Sequence, residues 1–598
     1  GSSLGVGTLP LDVLGRDESV SLLLKFRPDL EKTILDQVAD ELGDLPLALH
    51  MAGNYLKKYR RSIRPEEYLL RLKDPQLLDH LSMQAQGNEV LSPTGHIQHI
   101  GRTFAMSYDQ LDLAHEKDAL AHKLLVHAAH FAPGEPIWYQ LLVKTLQLPH
   151  HEKTEAFAEE AFSRLIELGL IEVAKGNDLK EASNFLHMHR LVAKFVRDVA
   201  RQDVKETQLT VEEVVFEETA AANASGYPVP LLSWQFHLRS VVNIAQARED
   251  LSSASLCAEL AEHLREINDH AGALKYAKKA LDIRSKLLSE SDELVTDSLR
   301  QIGHILIRTE LRKEDSLNRL HQALAIEKKR EHVDPFRLAQ SLNLIGFWHI
   351  TQNQTQDGIN YYEDAVLAIS ATDSKSQLYR AKIENNLGDA YRKTHQAQKA
   401  IPHLTRALET NQRLLRNNHP DIAMNLNNLA NAFHDLAEFA KARSFYASAL
   451  SIFRHNLGDQ HVTVGLMLNN LGNLFIDLKD SLEAKKHLFE AMTIFDEAFS
   501  GPHNNKALAL NNLGLVYEME NDFLSAEEYF EQALAVREDI FDQTAPLLAL
   551  SYLNLSHCLA HQNKKSSAME KLKKAEVICS NHPGLYSQKI SQIEKLLD

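Results

Sequence analysis

Histidine is abundant in this sequence, with 30 copies among 598 residues, and an imidazole can bind a metal or carry a proton. The closest pairs are His96/His99, His150/His151 and His187/His189. None of them forms a His-Glu-x-x-His motif, and no nearby cysteine or carboxylate cluster completes a tetrahedral site. The cysteines stand singly, at Cys257, Cys558 and Cys579. The spacing therefore predicts neither a metal site nor a disulfide framework.

Phosphate binding and nucleophilic catalysis also lack their usual residues. A phosphate loop needs backbone N–H groups, a lysine and a hydroxyl, and no glycine in this sequence is followed by lysine. The segment Gly5–Thr8 is too short and has no lysine. No spacing of nucleophile, base and orienting group stands out. We therefore predict that the chain is not an enzyme by itself.

Asparagine is the polar residue with the most regular spacing. One copy returns every 42 residues, at Asn386, Asn428, Asn470, Asn512 and Asn554. A carboxamide offers a donor and an acceptor together. A row of them along a groove can hold the main chain of an extended peptide while neighbouring pockets select its side chains.

The elements that must position these asparagines are repeated helices. A Leu or Ile followed by a small residue recurs at intervals of 42 or 43 residues, in eight units. The recurring residues are Leu260, Ile302, Ile345, Leu387, Leu429, Leu471, Leu513 and Leu555. Small residues also return 13 and 20 positions after most of them, for example Ala442 and Ala449. The 302 unit has one extra residue.

Small residues at fixed positions let two antiparallel helices approach closely, so each unit is predicted to be a helical hairpin. Such hairpins bury their apolar faces only against their neighbours, and the period predicts a solenoid over residues 251–598. The fold class is predominantly all-α.

The predicted binding surface is one stripe on the first helix of each hairpin. Positions −5, −1, +2 and +6 relative to the repeated Leu or Ile lie within about 60° of one another around the helix. The stripe starts acidic and ends partly apolar, which favours a protein or peptide partner of matching character. The alternative is that the asparagines join neighbouring repeats. The predicted partner contacts are Lys382, Asn386, Asp389, Asn428, Asn431, Asn470, Asn473, Asn512, Leu515 and Asn554.

The composition narrows the class of partner. Lys and Arg number 65 against 81 Asp and Glu, a net charge of −16. This balance disfavours nonspecific binding to nucleic acid or to an anionic membrane. No apolar run is long enough to span a bilayer and no signal peptide opens the sequence. We expect a cytoplasmic protein with no nucleic acid and no membrane among its partners.

The sequence ahead of the repeats differs in character. An acidic stretch, Val211–Thr219, and a turn-rich join, Ala220–Pro230, predict a connecting region at 206–250. Residues 1–90 are predicted to form a helical segment, in which Lys32–Tyr59 contains two helices. Pro46 suits the first position of the second helix, where its missing N–H had no partner. A further domain is predicted at 91–205.

The repeats resemble the tetratricopeptide family. The resemblance rests on the Leu-Gly step, on an aromatic residue four positions later, such as Phe433, and on the two alanines. The 42-residue period and the runs Leu426–Ala430 and Leu510–Gly514 are similar to the longer repeats of kinesin light chains.

The front half resembles STAND signalling ATPases of the NB-ARC type. Ala39-Asp-Glu-Leu-Gly-Asp-Leu-Pro-Leu-Ala-Leu49 is similar to the family's Gly-Leu-Pro-Leu region, and would make residues 1–90 an ARC-like segment. Residues 104–111, 119–129, 136–138 and 161–171 look like its winged-helix domain. Phe185–Arg197 resembles the end of that domain, with Met188-His189-Arg190 where many members have Met-His-Asp.

The resemblance implies that Pro46 packs near an adenine and that His189 contacts the phosphate of ADP in the inactive state. Both roles need the family's P-loop domain, so the chain would be a piece of a longer protein that lacks it. No cofactor is then bound by this chain alone, and ADP or ATP with Mg²⁺ belongs to the full-length protein.

These features predict the ligand-sensing and autoregulatory part of a STAND switch. A partner bound by the repeats would control an ADP/ATP-dependent oligomerisation on activation, with the missing P-loop domain acting in cis. The alternative is a cargo or scaffold adaptor similar to a kinesin light chain, with no nucleotide switch.

Overall fold

The computed structural model describes most of the chain. The described residues are 14–72, 103–147, 152–173, 185–200, 204–224, 229–308, 313–370, 372–580 and 586–597. The chain divides into two compact units, residues Gly1–Thr309 and Glu310–Asp598. The predicted boundary at 90/91, the segment Gly5–Thr8 and the pairs His96/His99 and His150/His151 lie outside the described residues.

The first unit opens with four helices, in which the Leu-Pro-Leu motif begins a helix as predicted. Pro46 is the first residue of its helix, and Leu45 before it is extended, as a residue ahead of proline must be. Arg16 Nε donates to Asp44 Oδ1 at 2.9 Å and ties the first helix to this turn. The helices are α1 (Arg16–Phe26), α2 (Lys32–Glu41), α3 (Pro46–Lys58) and α4 (Pro65–Leu72).

Residues 103–200 add helices around a small antiparallel sheet. Three strands pair in the order β1-β3-β2, with Ile137 opposite Leu186. Both of these side chains are buried, so the sheet faces the core with one side. After a helical stretch at 103–108, the elements are α5 (Glu116–Ala128), β1 (Pro136–Trp138), α6 (Tyr139–Lys144), α7 (Glu152–Glu167), β2 (Glu172–Val173), β3 (Phe185–His187) and α8 (Arg190–Val199).

The described parts of the region 206–250, expected to be a connection, are largely helical, and residues 225–228 of the expected turn-rich join lie outside the described residues. The acidic stretch and the alanines after it belong to one helix. Glu212 of this helix is buried and paired with Arg248, at 2.7 and 2.5 Å, instead of facing water. Asn223 Nδ2 donates to the Glu259 carbonyl at 2.9 Å and so reaches the first repeat. The elements are α9 (Val204–Ala224), α10 (Val229–Leu232), α11 (Gln235–Ala245) and a 3₁₀ turn (Gln246–Arg248).

The repeats are helical hairpins in series, which confirms the predicted helical solenoid. We call the helix with the repeated Leu or Ile the A helix and the next one the B helix. The first unit holds α12 (Leu251–Glu266), α13 (His270–Leu287) and α14 (Glu293–Ile307). The second unit holds α15 (Lys313–Lys329), α16 (Pro335–Thr351), α17 (Thr355–Ala368), α18 (Ser374–Lys393), α19 (Ala397–Leu414), α20 (Pro420–Asp435), α21 (Phe439–Leu457), α22 (Val462–Asp477), α23 (Ser481–Ala498), α24 (Asn504–Met519), α25 (Phe523–Ile540), α26 (Pro546–His561), α27 (Lys565–Ser580) and α28 (Ser587–Leu597).

Close approach inside each hairpin explains the small residues. A Cβ added to Gly472 would lie 2.5 Å from Cγ of Leu488 on the B helix, closer than any real contact. The repeated alanines of the B helices, such as Ala442 and Ala449, are fully buried. The hairpin interface therefore requires little volume at these positions.

The turn between A and B helices repeats as closely as the helices do. In seven repeats the residue eight positions after the Leu or Ile has a positive φ of 56–64°. Four of these residues are asparagine, which tolerates the left-handed conformation better than most residues. They are Asn268, Asn353, His395, Ala437, Lys479, Asn521 and Asn563.

Within the part of the chain that the structure describes, no helix combines the length and the apolar character needed to cross a membrane.

Candidate functional site

The regularly spaced asparagines of the A helices form a chain of hydrogen bonds in the second unit. The asparagine just before the repeated leucine donates its Nδ2–H to Oδ1 of an asparagine in the preceding A helix. We call these five bonds the asparagine ladder. They are Asn386 to Asn343 at 3.1 Å, Asn428 to Asn385 at 3.1 Å, Asn470 to Asn427 at 3.1 Å, Asn512 to Asn469 at 3.0 Å and Asn554 to Asn511 at 2.6 Å.

The ladder is closed at its far end by the last helix. Lys589 of α28 donates to Oδ1 of Asn554, and Ile593 of the same helix is buried against the final hairpin. A terminal helix that covers the last apolar face is what a repeat stack needs. At the other end, Asn343 Nδ2 donates to the hydroxyl of Tyr379 at 3.2 Å.

The ladder changes how the asparagines can act. Asn428, Asn512 and Asn554 are 8%, 9% and 2% exposed, and their amide N–H groups are already used between repeats. Asn386 and Asn470 are half-buried and make the same bond. The geometry of these five predicted partner contacts therefore matches the alternative in which asparagines join neighbouring repeats.

The other predicted stripe residues remain accessible. Lys382 is exposed, and Asn473 and Leu515 are half-buried on the same helix face, one turn from the ladder. Asn431 accepts a hydrogen bond from the Tyr446 hydroxyl at 2.5 Å, which fixes its amide. These positions lie beside the ladder on successive A helices.

Asp389 is the acidic member of this surface. Burial alone would raise the pKa of Asp389, but Lys393 and Arg392, at 2.9 and 3.1 Å, outweigh it and keep that pKa below its ordinary value. The side chain is therefore a carboxylate paired with two cations, and it is 26% exposed.

The acidic start of the stripe is partly paired within the first unit. Glu262 and Glu266 both pair with Arg265, and Glu259 accepts from Asn223 at 2.7 Å. The expected attraction for a basic ligand at this end is therefore weaker than the sequence implied. The apolar end in the second unit is present, with Leu508, Leu515 and Met519 all half-buried.

The two predicted nucleotide contacts lie at the starts of two helices in the first unit. Pro46 is exposed at the start of α3. His189 is the N-cap of α8, where Nδ1 accepts from the N–H of Leu191 at 3.2 Å. Burial, followed by the nearby Arg190, lowers the pKa of His189 below its ordinary value. A neutral imidazole with Nδ1 occupied has Nε2 as its remaining polar atom.

Glu172 on β2 connects these two helix starts. Its Oε1 lies 3.4 Å from Nε2 of His50, one turn into α3, and its charge also acts on His189. The helix that begins at Pro46 and the cap formed by His189 thus both lie near Glu172 on β2.

Among the histidine pairs considered from the sequence, only His187/His189 is described, and it is used structurally. His187 Nε2 hydrogen-bonds the Gly134 carbonyl at 3.1 Å, and His189 caps its helix.

The structure assembles a different group that the sequence analysis missed. Glu518, His557 and His561 place one ligand atom each within 4.8 Å of one another. The sequence signal that could have indicated this group is the four-residue spacing of His557 and His561, which places both on one face of a helix.

The comparisons with known proteins agree with this architecture. The tetratricopeptide repeat family profile matches residues 379–455 and 463–539. These segments are therefore tetratricopeptide repeats. No curated protein matches the chain.

Among solved structures, the chain is similar to a STAND protein with a tetratricopeptide repeat sensor from Pyrococcus horikoshii. The TM-score is 0.57 at 13% identity, covering 99% of this chain and 76% of that one. At this identity the likeness shows a shared fold over most of both chains.

Two other similar structures cover a smaller share of this chain. Kinesin light chain repeats from Podosopora anserina align at 18% identity over 35% of this chain and 99% of theirs, with a TM-score of 0.30. The quorum sensor NprR from B. thuringiensis aligns at 13% identity over 57% of this chain and 95% of its own, with a TM-score of 0.43.

Proposed function

We propose that this chain is the ligand-sensing and autoregulatory part of a STAND-type switch. Its A helices bind a protein or peptide partner, and that binding controls an ADP/ATP-dependent oligomerisation of a longer protein. The observation that carries the proposal is the set of accessible residues beside the asparagine ladder, which lie on successive A helices. The similarity in fold to the STAND protein with a tetratricopeptide repeat sensor supports the role in a switch.

Residues 116–187 support the regulatory half of the proposal. Their order is helix, strand, helix, helix, strand, strand, and the strands pair antiparallel. This is the order of a winged helix, and we assign residues 103–200 to such a domain. We assign residues 14–72 to the ARC-like segment. This segment contacts the winged-helix region, since Lys58 of α3 pairs with Glu167 of α7.

The binding surface is assigned to accessible members of the stripe, chiefly Lys382, Asn473 and Leu515. A partner needs groups that are open and not already bonded within the chain, and these three meet that condition better than the buried amides. Extended peptides gain specificity from pockets on alternating side chains. The partly apolar end, at Leu508, Leu515 and Met519, would receive the partner's apolar residues.

The residues expected at a nucleotide fit that role. Pro46 offers an exposed apolar ring, which suits the face of an adenine. The neutral His189 can donate from Nε2 to a phosphate oxygen because its Nδ1 already accepts a hydrogen bond. The phosphate charge of the bound nucleotide, ADP or ATP, would distinguish the two states of the switch. The phosphate loop and the site for Mg²⁺ would come from a domain outside this sequence.

A path for coupling exists inside the first unit. Helix α9 packs on α5 of the winged-helix region and on α12 of the first repeat. His237 of α11 hydrogen-bonds both the Ala132 N–H, at 3.0 Å, and the Pro136 carbonyl, at 2.8 Å. The first repeat and the winged-helix region are thus held by shared elements, so a partner that binds one conformation of the repeats better would also bias the regulatory region.

Selection from a phage-displayed library of short random peptides on the immobilised chain tests the binding half. We expect selected peptides to lose at least tenfold in affinity on Lys382→Ala/Asn473→Ala, and to keep it on the control Lys486→Ala/Gln532→Ala, whose residues are exposed on B helices. Equal affinity for both variants would contradict the assigned surface.

The nucleotide half is tested separately in the longer protein. With ADP bound, His189→Ala should release the closed state and shift the protein towards oligomers in light scattering, without changing peptide affinity for the isolated chain. Unchanged assembly in ADP would reject this role for His189. Peptide binding with no nucleotide dependence at all would favour the adaptor alternative.

A further inference from the structure

Three side chains capable of binding a metal converge at the end of the A-helix stripe. Glu518 lies on α24, and His557 and His561 lie four residues apart on α26, so both imidazoles are on one face of that helix. Their ligand atoms all lie within 4.8 Å of one another. His557 Nδ1 hydrogen-bonds a carboxylate oxygen of Glu518.

The histidine rings are already oriented. The two rings lie edge to face, with centroids 4.7 Å apart. The ring of His561 stacks on Phe523 at a centroid distance of 4.9 Å and an angle of 7°. The side chain of Glu518 is 14% exposed and that of His557 is 25% exposed, so neither sweeps freely through solvent. Ligands that are held in place lose little entropy when a metal binds.

We propose that Glu518, His557 and His561 form a zinc site with one open coordination position. Two imidazoles and a carboxylate are a known ligand set for Zn²⁺, and three protein ligands leave the fourth position of a tetrahedron for water or another donor. Zinc ligands at about 2.1 Å from the metal are about 3.4 Å apart, so the cluster needs only small side-chain rotations.

Zinc suits this cluster better than a hard cation. Ca²⁺ and Mg²⁺ prefer several oxygen ligands, and the cluster supplies a single carboxylate.

The position of the site gives it a structural consequence. Glu518 belongs to one repeat and the two histidines to the next, so a bound zinc ion would join adjacent A helices beside the last bond of the ladder. The open position would lie at the end of the stripe, where a carboxylate or imidazole of a bound partner could complete the coordination. The zinc site itself does not depend on that partner.

Isothermal titration of the chelator-treated full chain with ZnCl₂ tests the proposal. We expect the wild type to bind one more zinc ion than His557→Ala/His561→Asn, and His561→Asn alone to weaken that site by about 100-fold. Glu518→Gln keeps the size of the side chain and should weaken the site as well. Zinc should also raise the melting temperature of the wild type, since a ligand that binds the folded state stabilises it.

His434→Ala is the matched control. His434 pairs with Asp477 across two repeats at 2.7 Å, in the same way as His557 with Glu518, but within the described residues it belongs to no cluster with a second histidine. Its loss should leave the zinc affinity unchanged. Co²⁺ in place of zinc should give the visible bands of a tetrahedral site in the wild type only. The same zinc stoichiometry and affinity in the wild type and in His557→Ala/His561→Asn would overturn the proposal.

Discussion

Several carboxamides in and beside the ladder make more than one hydrogen bond. Asn385 Oδ1 accepts from Asn428 at 3.1 Å and from Asn425 at 2.8 Å, while Asn425 itself accepts from Asn411 at 2.7 Å. Such bonds lie between packed helices, where an unsatisfied amide would be costly. The ladder therefore fixes the register of one A helix on the next, and through it the spacing of the accessible residues beside it.

Replacing two ladder residues should lower stability. Asn428→Ala with Asn470→Ala removes two side-chain donors. The side-chain Oδ1 of the buried Asn427 then has one hydrogen-bond partner fewer. Lost bonds of this kind cost roughly 1 kcal/mol each, and more when the remaining group is buried. We expect the free energy of unfolding to fall by about 1–3 kcal/mol, measured by chemical denaturation of the full chain.

The comparison variant is Lys382→Ala with Asn473→Ala, which removes accessible groups outside the ladder. Its unfolding free energy should change by less than about 0.5 kcal/mol. If the ladder variant is as stable as this one, the amides are not structural and their assignment to partner contact regains support.

At the scale of the element, the A–B turn holds a left-handed residue in seven repeats, and three of these residues are not asparagine. Ala437 has φ 56° and lies in the middle of the ladder region. The left-handed conformation costs an L-residue with a Cβ about 1–2 kcal/mol, and it costs asparagine less.

Ala437→Asn is therefore expected to stabilise the chain by about 0.5–1 kcal/mol, seen as a higher melting temperature. The control is Ala447→Asn, ten residues later, which is exposed in the middle of the following B helix. This change should be neutral or slightly destabilising because asparagine is a weaker helix former than alanine. Equal effects of the two substitutions would mean that the turn carries no strain.

Histidine also begins several A helices in consecutive repeats. Nδ1 of His461 accepts from the N–H of Thr463, and Nδ1 of His503 from that of Asn505, each at 3.2 Å. Only a neutral imidazole can accept there. Burial lowers the pKa of both His461 and His503 below its ordinary value, with Lys506 adding to the effect at His503.

The sign of the pH effect follows from these lowered pKa values. Below about pH 6.5, His461 and His503 bind protons in the unfolded chain more readily than in the folded chain. The stability of the folded chain therefore falls as pH falls. His461→Asn/His503→Asn keeps a capping oxygen and removes the titration. The loss in melting temperature between about pH 7.5 and 5.5 should therefore be smaller in this variant than in the wild type.

Part of the pH dependence should remain in that variant. Burial lowers the pKa of His127 to about 3 and that of His130 to about 4, so both continue to destabilise the fold in acid. An identical pH profile in variant and wild type would show that the two caps contribute nothing to it.

At the scale of the whole molecule, the repeats were largely predictable and their contacts were not. The period of 42 residues located every A and B helix, because close helix packing allows only small residues at fixed positions, as Gly472 against Leu488 shows. The sequence could not show which of two roles an asparagine plays. That choice depends on the distance between successive A helices, which only the packed repeats define.

Two further features lay beyond the sequence for physical reasons. In the acidic stretch before the repeats, Glu212 is buried because Arg248, 36 residues later, pairs with it. The cluster of Glu518, His557 and His561 combines residues from two repeats, so no local motif displays it. Pro46 begins a helix as predicted, His189 caps another, and the contact of both with a nucleotide stays a prediction.

The central claim is that a partner binds the accessible surface beside the asparagine ladder. Hydrogen–deuterium exchange of the chain with a library-selected peptide tests it most directly. The account predicts slower exchange on peptide addition in the A helices α18, α20, α22 and α24, with little change in the B helices between them. Protection confined to B helices, or to the first unit, would contradict it.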